Sequence, residues 1–157
     1  MIPSDEYYRS LPRRYMSAGV LITDSAGRVL LLEPTYKQQF EIPGGVCEAG
    51  EAPRDTAIRE VHEELGIYLQ PGALLVMDHR SQAEPKGDSI QFIYDGGVVD
   101  DLAGFRPDST EIASTHLLSP EEIDAHTTPN LAFRVRTALK ARDQKRLIEL
   151  RDGEEIG

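Results

Sequence analysis

The chain has 157 residues, 39% of them hydrophobic and 28% charged, with a formal net charge of -10. That size and polarity fit one soluble globular domain with a real core and exclude a fibrous or disordered chain. They also argue against a basic nucleic-acid surface, and no apolar run approaches the roughly 18 residues that would cross a bilayer. Cys47 is the only cysteine, so no internal disulfide framework exists. The first residues, MIPSDEYYRSLPRRYM, lack a positive start followed by an apolar stretch, so no signal peptide is expected and the cytoplasm is the expected compartment.

Residues 1–14 are polar, end in Arg13 and Arg14, and read as an arm or a partner-strand segment. Met16–Thr23 reads as a strand, Asp24–Gly27 as a turn and Arg28–Glu33 as the returning strand of a hairpin. Pro34–Phe40 reads as a loop, and Glu41–Pro43 as a short extended piece entering Gly44 and Gly45. A helix is expected over Pro53–Leu65. Proline suits its first position, Asp55 its first turn, and Gly66 a left-handed stop. Its buried stripe would be Ala57, Ile58, Val61 and Leu65.

Ala73–His79 and Ser89–Val99 follow as strands, the second with a bulge or turn at Gly96-Gly97. Glu111–Leu118 reads as a short strand, and Ser119-Pro120-Glu121-Glu122 as a helix start. A last helix is expected over about 129–148, with Leu131, Val135 and Leu139 four apart. The layout is α/β with an antiparallel component. It reads as a single domain over 1–157, with its core in about 16–125.

Chemistry concentrates in residues 45–67, GVCEAGEAPRDTAIREVHEELGI. On the expected helix Glu60, Glu63 and Glu64 stand at i, i+3 and i+4, neighbours on one face. Like charges there repel, and a hard divalent cation with oxygen ligands would turn the repulsion into binding. Glu51 would approach the same face from the preceding loop, and Arg59 would fix its direction through a bidentate pair. Glycines at 44 and 45 allow close approach of backbone to a metal or phosphate. Three glutamates on a helix are by themselves most often a solvated face; the spacing of the whole segment changes that reading.

The segment resembles the Nudix hydrolase box, a glycine, five residues, a glutamate, seven residues, then Arg-Glu-apolar-any-Glu-Glu-any-Gly-apolar. Gly45, Glu51, Arg59, Glu60, Val61, Glu63, Glu64, Gly66 and Ile67 meet every defined position. The surroundings resemble the family too, through Ala18-Gly19-Val20, Gly27–Leu31, Ile42–Gly45, Glu111-Ile112 and Glu121–Ile123. Phe40 and Leu117 stand where the family often has tryptophan.

The resemblance implies an α/β/α sandwich with a mixed sheet. It implies Mg2+-dependent hydrolysis, with Mn2+ as an alternative ion, of a phosphoanhydride in a nucleoside diphosphate linked to another group X. By the same resemblance Glu60 and Glu64 are the principal metal ligands, and Glu63 is a further ligand or the base. The Gly45 carbonyl also reaches the metal, while Glu51 and Arg59 orient the carboxylates. Glu111 is a candidate base outside the box, its alternative being an exposed carboxylate at a strand start.

His62 points to another helix face, and Cys47 reads as inert packing. Arg80 and Lys86 lie between two strands, where a loop would reach substrate phosphates; plain solvation is the alternative. Phe92 and Tyr94 share one strand face, as core or as a stacking surface. No accessory motif names a substrate beyond the nucleotide class. Two other readings stay open: a nucleotide-sensing domain without turnover, which commonly has lost box glutamates, and an isoprenoid isomerase, for which Cys47 is poorly placed. The family is often dimeric, so a homodimer is compatible, with Arg13 and Arg14 on the arm that would serve it. No membrane or nucleic-acid partner is expected.

Overall fold

The computed structural model describes residues 4–157; Met1–Pro3, part of the expected arm, lie outside the described residues. Its elements in order are α1 (Asp5–Ser10), β1 (Tyr15–Asp24), β2 (Val29–Pro34), β3 (Gly44–Val46), α2 (Pro53–Leu65), β4 (Leu74–Arg80), β5 (Ser89–Val99), β6 (Ile112–Leu118), a 3-10 turn at Ile123–Ala125, α3 (Pro129–Gln144), β7 (Ile148–Arg151) and β8 (Glu154–Ile156).

The sheet runs β6-β2-β1-β5-β4-β7-β8, with β3 paired to β1 off that path. β1–β5 and β4–β7 are parallel and the other pairs antiparallel, so the sheet is mixed. Alternation along the central strand sets the layers. Ala18, Val20 and Ile22 face Ala57, Val61 and Leu65 of α2. Leu21 faces the other way, into the cluster with Leu131, Val135 and Ala138 of α3. One helix therefore covers each side, giving the α/β/α sandwich.

Helix α2 starts and stops where its sequence dictates. Pro53 opens it, the Ala52 N–H donates to Asp55 Oδ2 at 3.0 Å, and Gly66 closes it at φ 68°. A Cβ on Gly66 would lie 2.8 Å from the Arg106 Cβ, so both backbone angle and space require glycine. Ala57, Val61 and Leu65 are fully buried, and truncating Leu65 to alanine should cost about 2–5 kcal/mol. Ile58, expected in that stripe, is only half-buried, while Thr56 and Glu64 are buried instead. The Gly96-Gly97 bulge is present: Leu21 pairs with Asp95 but Thr23 with Val98, one residue out of step.

Three expectations are corrected. Residues 5–10 of the arm form a short helix, capped by Ser4, whose Oγ accepts from the Tyr7 N–H at 3.3 Å. Ser119 does not cap a helix; its hydroxyl donates to Glu122 Oε1 at 2.7 Å, and only the 3-10 turn follows. The last helix does not run to 148. It ends at Gln144, because Lys145 turns left-handed at φ 52°. The chain then enters β7, where Ile148 and Leu150 join the α3-side core.

Candidate functional site

The loop from β3 to α2 and the outward side of α2 gather the box residues around Arg59. Arg59 Nε donates to Glu51 Oε2 at 2.8 Å and Nη2 to Glu51 Oε1 at 2.9 Å, a two-pronged grip. Glu51 Oε1 also accepts from the Glu48 N–H at 2.8 Å and the Thr56 hydroxyl at 2.9 Å. Arg59 first, then the Glu48 N–H, holds the Glu51 carboxyl down to about 2. Glu51 in turn raises the guanidinium's affinity for its proton, so both groups stay charged. Arg59 Nη1 reaches Glu60 Oε1 at 2.8 Å and Glu63 Oε2 at 3.2 Å, and Nη2 reaches the Val46 carbonyl at 3.3 Å.

Glu60 and Glu64 differ from these. Burial pushes the Glu60 carboxyl up, against the pull of Arg59, and Glu63 and Glu111 add to the rise. Glu64 is 8% exposed. Its Oε1 accepts from the Gly44 N–H at 2.8 Å, and no cation pairs with it among the described residues. Burial, with Glu60, Glu111 and Glu41 nearby, pushes its carboxyl up to about 8. The glycines make room for this. A Cβ on Gly44 would lie 2.6 Å from the Gly19 Cα, and one on Gly45 would lie 2.5 Å from the Glu60 Cδ. Only glycine lets β3 lie this close to both β1 and the Glu60 carboxylate.

Glu64 lines a cavity of about 400 Å³ together with Gly45, Glu111, Glu41, Lys37 and Arg134. In this conformation no three His, Cys, Asp or Glu side chains converge on one point among the described residues. Glu60 and Glu63 are held on Arg59 Nη1, and Glu64 is turned to the Gly44 N–H. The donor set nonetheless fits a hard divalent cation. It is all oxygen, and its buried member has a backbone donor but no cation to offset its charge.

The other sequence candidates are dispersed. Glu111, exposed, reaches the cavity wall. Arg80 does not; it lines a separate groove with Arg14 and Arg151, and Lys86 is not part of the cavity wall. His62 stacks on Tyr68 with ring centroids 4.0 Å apart. Cys47 and Phe92 pack against the α2-side core, and Tyr94 is buried there beneath Arg54, 4.6 Å from its ring centre.

Two cavity features escaped the sequence reading. Lys37 lines the cavity and pairs closely with Glu41. Arg134, on α3, is bound through Nε to Asp78 Oδ2 at 3.0 Å, with side chains 12% and 3% exposed. Burial lowers the Arg134 guanidinium's proton affinity, and Asp78 opposes that. A signal existed: Arg134 stands three residues after Leu131 inside the apolar stripe of α3, and Asp78 two after the buried Val76. A charge on the buried face of a helix and another on the facing strand imply each other.

A NUDIX domain model matches residues 13–139. An ADP-ribose pyrophosphatase of Methanocaldococcus jannaschii is 26% identical over 115 residues, which cover 71% of this chain and 63% of that protein. A MutT-like protein of Streptomyces ambofaciens is 28% identical over 122 residues, covering 78% and 74%. The solved MutT protein of Methanosarcina mazei Go1, 24% identical, matches with a TM-score of 0.67 over 87% of this chain and 99% of its own. The matched stretch spans 28% of one Bacillus subtilis relative and 63% of the archaeal one, less than two thirds of either. No helix among the described residues is long and apolar enough to cross a membrane.

Proposed function

This chain belongs to the NUDIX family, and on that premise we propose that it hydrolyses a phosphoanhydride bond in a nucleoside diphosphate linked to another group X, using Mg2+ or, in its place, Mn2+. One observation carries the reading. Glu64 is buried in the cavity wall among other carboxylates, with no cation paired to it among the described residues, and its carboxyl is pushed up to about 8. A carboxylate so placed favours either a proton or a metal ion, and in a site built for polyphosphate the second is the useful state.

Glu60 and Glu64 would hold the metal, with the Gly45 carbonyl as a further donor and Glu63 as a further donor or the base. When bound, the metal would offset charge on the phosphate oxygens and acidify a water. Arg59, gripped by Glu51 at 2.8 and 2.9 Å, holds the start of the acidic face in place. For Glu60 and Glu63 to reach a metal, Arg59 would have to give up its contacts to them, while its two-pronged contact with Glu51 could remain. Glu63 or Glu111 would take the proton from the attacking water.

The test is product analysis on a panel of nucleoside triphosphates, oxidised nucleotides, nucleotide sugars, ADP-ribose, NADH and dinucleoside polyphosphates. It is run with Mg2+, with Mn2+ and with chelator. A metal-dependent product that Glu64→Gln does not make supports the reading and names X. No product from any substrate, with the fold intact and Mg2+ bound, favours a nucleotide-sensing domain instead.

A further inference from the structure

The Asp78–Arg134 pair has no part in that chemistry, yet it costs the fold something to keep. Two charges are taken out of water into the core between β4 and α3, with side chains 3% and 12% exposed. Such a pair is weak evidence of stabilisation, since its desolvation offsets its attraction unless every remaining donor and acceptor is used. Here they are not. Asp78 Oδ1 is buried and receives no hydrogen bond from the protein. Arg134 spends Nε on Asp78, and no acceptor takes Nη1 or Nη2 among the described residues. A pair serving only as a lock between strand and helix would be closed on both sides. This one is closed by Asp78 on the Nε side, and Arg134 lines the cavity that Glu64 also lines.

We propose that Arg134, held in place by Asp78, is the specificity-determining residue of the cavity and that its two free nitrogens take the O6 and N7 acceptors of a 6-oxopurine base. The inference rests on reading the cavity as the site for a nucleoside diphosphate derivative.

Three features select that ligand. A guanidinium edge with two parallel N–H donors matches two acceptors side by side, as on the O6/N7 edge of guanine. The 6-aminopurine edge presents a donor at position 6, which would face a donor. Charge argues for a neutral acceptor edge over a second anion. Asp78 already balances Arg134, Glu41 pairs with Lys37, and Glu64 and Glu111 share the wall. The apolar and aromatic surface a base needs is present as well: Phe92, Tyr36 and Leu131 line the same cavity, whose volume of about 400 Å³ suits one nucleoside.

The experiment is calorimetric binding of GMP, IMP and AMP, with inorganic pyrophosphate as a fourth probe, to the metal-free protein. It compares wild type, Arg134→Lys and the double variant Asp78→Leu/Arg134→Leu, each checked for folding by circular dichroism. The lysine keeps the charge and loses the fork. The double leucine variant removes both charges together, which leaves no unpaired ion in the core.

Wild type should bind GMP and IMP roughly ten- to a hundredfold more tightly than AMP, and both variants should bind all three within about threefold of one another. Equal binding by wild type, no measurable GMP binding, or a preference for GMP that survives in either folded variant overturns the proposal. So does a loss of pyrophosphate affinity in Arg134→Lys as large as the loss for GMP, which would make Arg134 a phosphate ligand. Turnover by wild type with Mg2+ is measured alongside. Turnover without base preference fails this inference alone, and base preference without turnover fails the hydrolase reading alone.

Discussion

The two helices that sandwich the sheet carry their charges in opposite ways. On α2 and the loop before it the charges lie mostly outward and outnumber their partners: Glu51, Glu60 and Glu63 share one Arg59, and Glu64 pairs with no cation among the described residues. On α3 the most buried charge is Arg134, matched one to one by Asp78. Both helices line the same cavity, so the contrast is functional. An excess of buried negative charge has no structural use and is relieved by binding something positive. A balanced pair is nearly neutral to its surroundings and contributes shape and hydrogen-bond direction. On the proposed reading one wall binds a cation and the other orients a group.

The sharpest way to break this contrast is Glu64→Gln. The charge excess is lost while the Gly44 N–H still finds an acceptor. Turnover should fall by about three to four orders of magnitude, roughly 4–5.5 kcal/mol of transition-state stabilisation, with circular dichroism unchanged. A drop under tenfold would show that the acidic wall is not where the chemistry is. Next in size is the base. Replacing the residue that takes the proton should cost about a hundredfold or more and remove the acidic limb of the pH–rate profile. Glu63→Gln and Glu111→Gln are compared, and the other of the two should stay within about tenfold. If neither change alters the profile, the proton leaves by another route. Smaller again is Gly45→Ala. The added methyl meets the Glu60 carboxylate, so Mg2+ should bind roughly tenfold more weakly, seen as a raised half-saturating Mg2+ concentration. Unchanged Mg2+ dependence would remove Glu60 from the proposed ligand set.

The same contrast explains what could be read from the sequence. Helix α2 was legible to the residue because its proline, Asp55 and Gly66 are local signals, and its chemistry is written in fixed spacing along one helix. The α3 end was not. Apolar periodicity continues past Gln144 through Leu147 and Ile148, and the break falls at Lys145, which adopts the left-handed turn at φ 52° without the glycine that usually marks it. The strand pairing of β7 with β4 has no local signature either. Asp78 and Arg134 are 56 residues apart in sequence, so their pairing exists only once the sheet and α3 have met. Spacing within one helix can be counted, whereas a contact between two elements depends on topology.

The smallest effect is on stability, and its sign separates the two walls. Burial pushes the Glu64 carboxyl up to about 8 in the folded chain, from an ordinary value of 4.5. The folded state therefore gains from holding that proton. The gain is fully present below about pH 4.5 and is lost as pH rises through 8. In chelator, wild type and Glu64→Gln should melt at similar temperatures at pH 4.5. At pH 8 the glutamine variant should be the more stable by up to a few kcal/mol, a shift of several degrees for a domain of this size. Saturating Mg2+ should then reverse the order at pH 8, because the wild-type carboxylate gains a ligand and the amide does not. The Asp78→Leu/Arg134→Leu variant provides the opposite case. It removes a balanced pair, so its melting temperature relative to wild type should vary little over the same pH range and should not respond to Mg2+. If Glu64→Gln behaved that way instead, Glu64 would be as well compensated as Arg134, and the acidic wall would carry no excess charge for a cation to relieve.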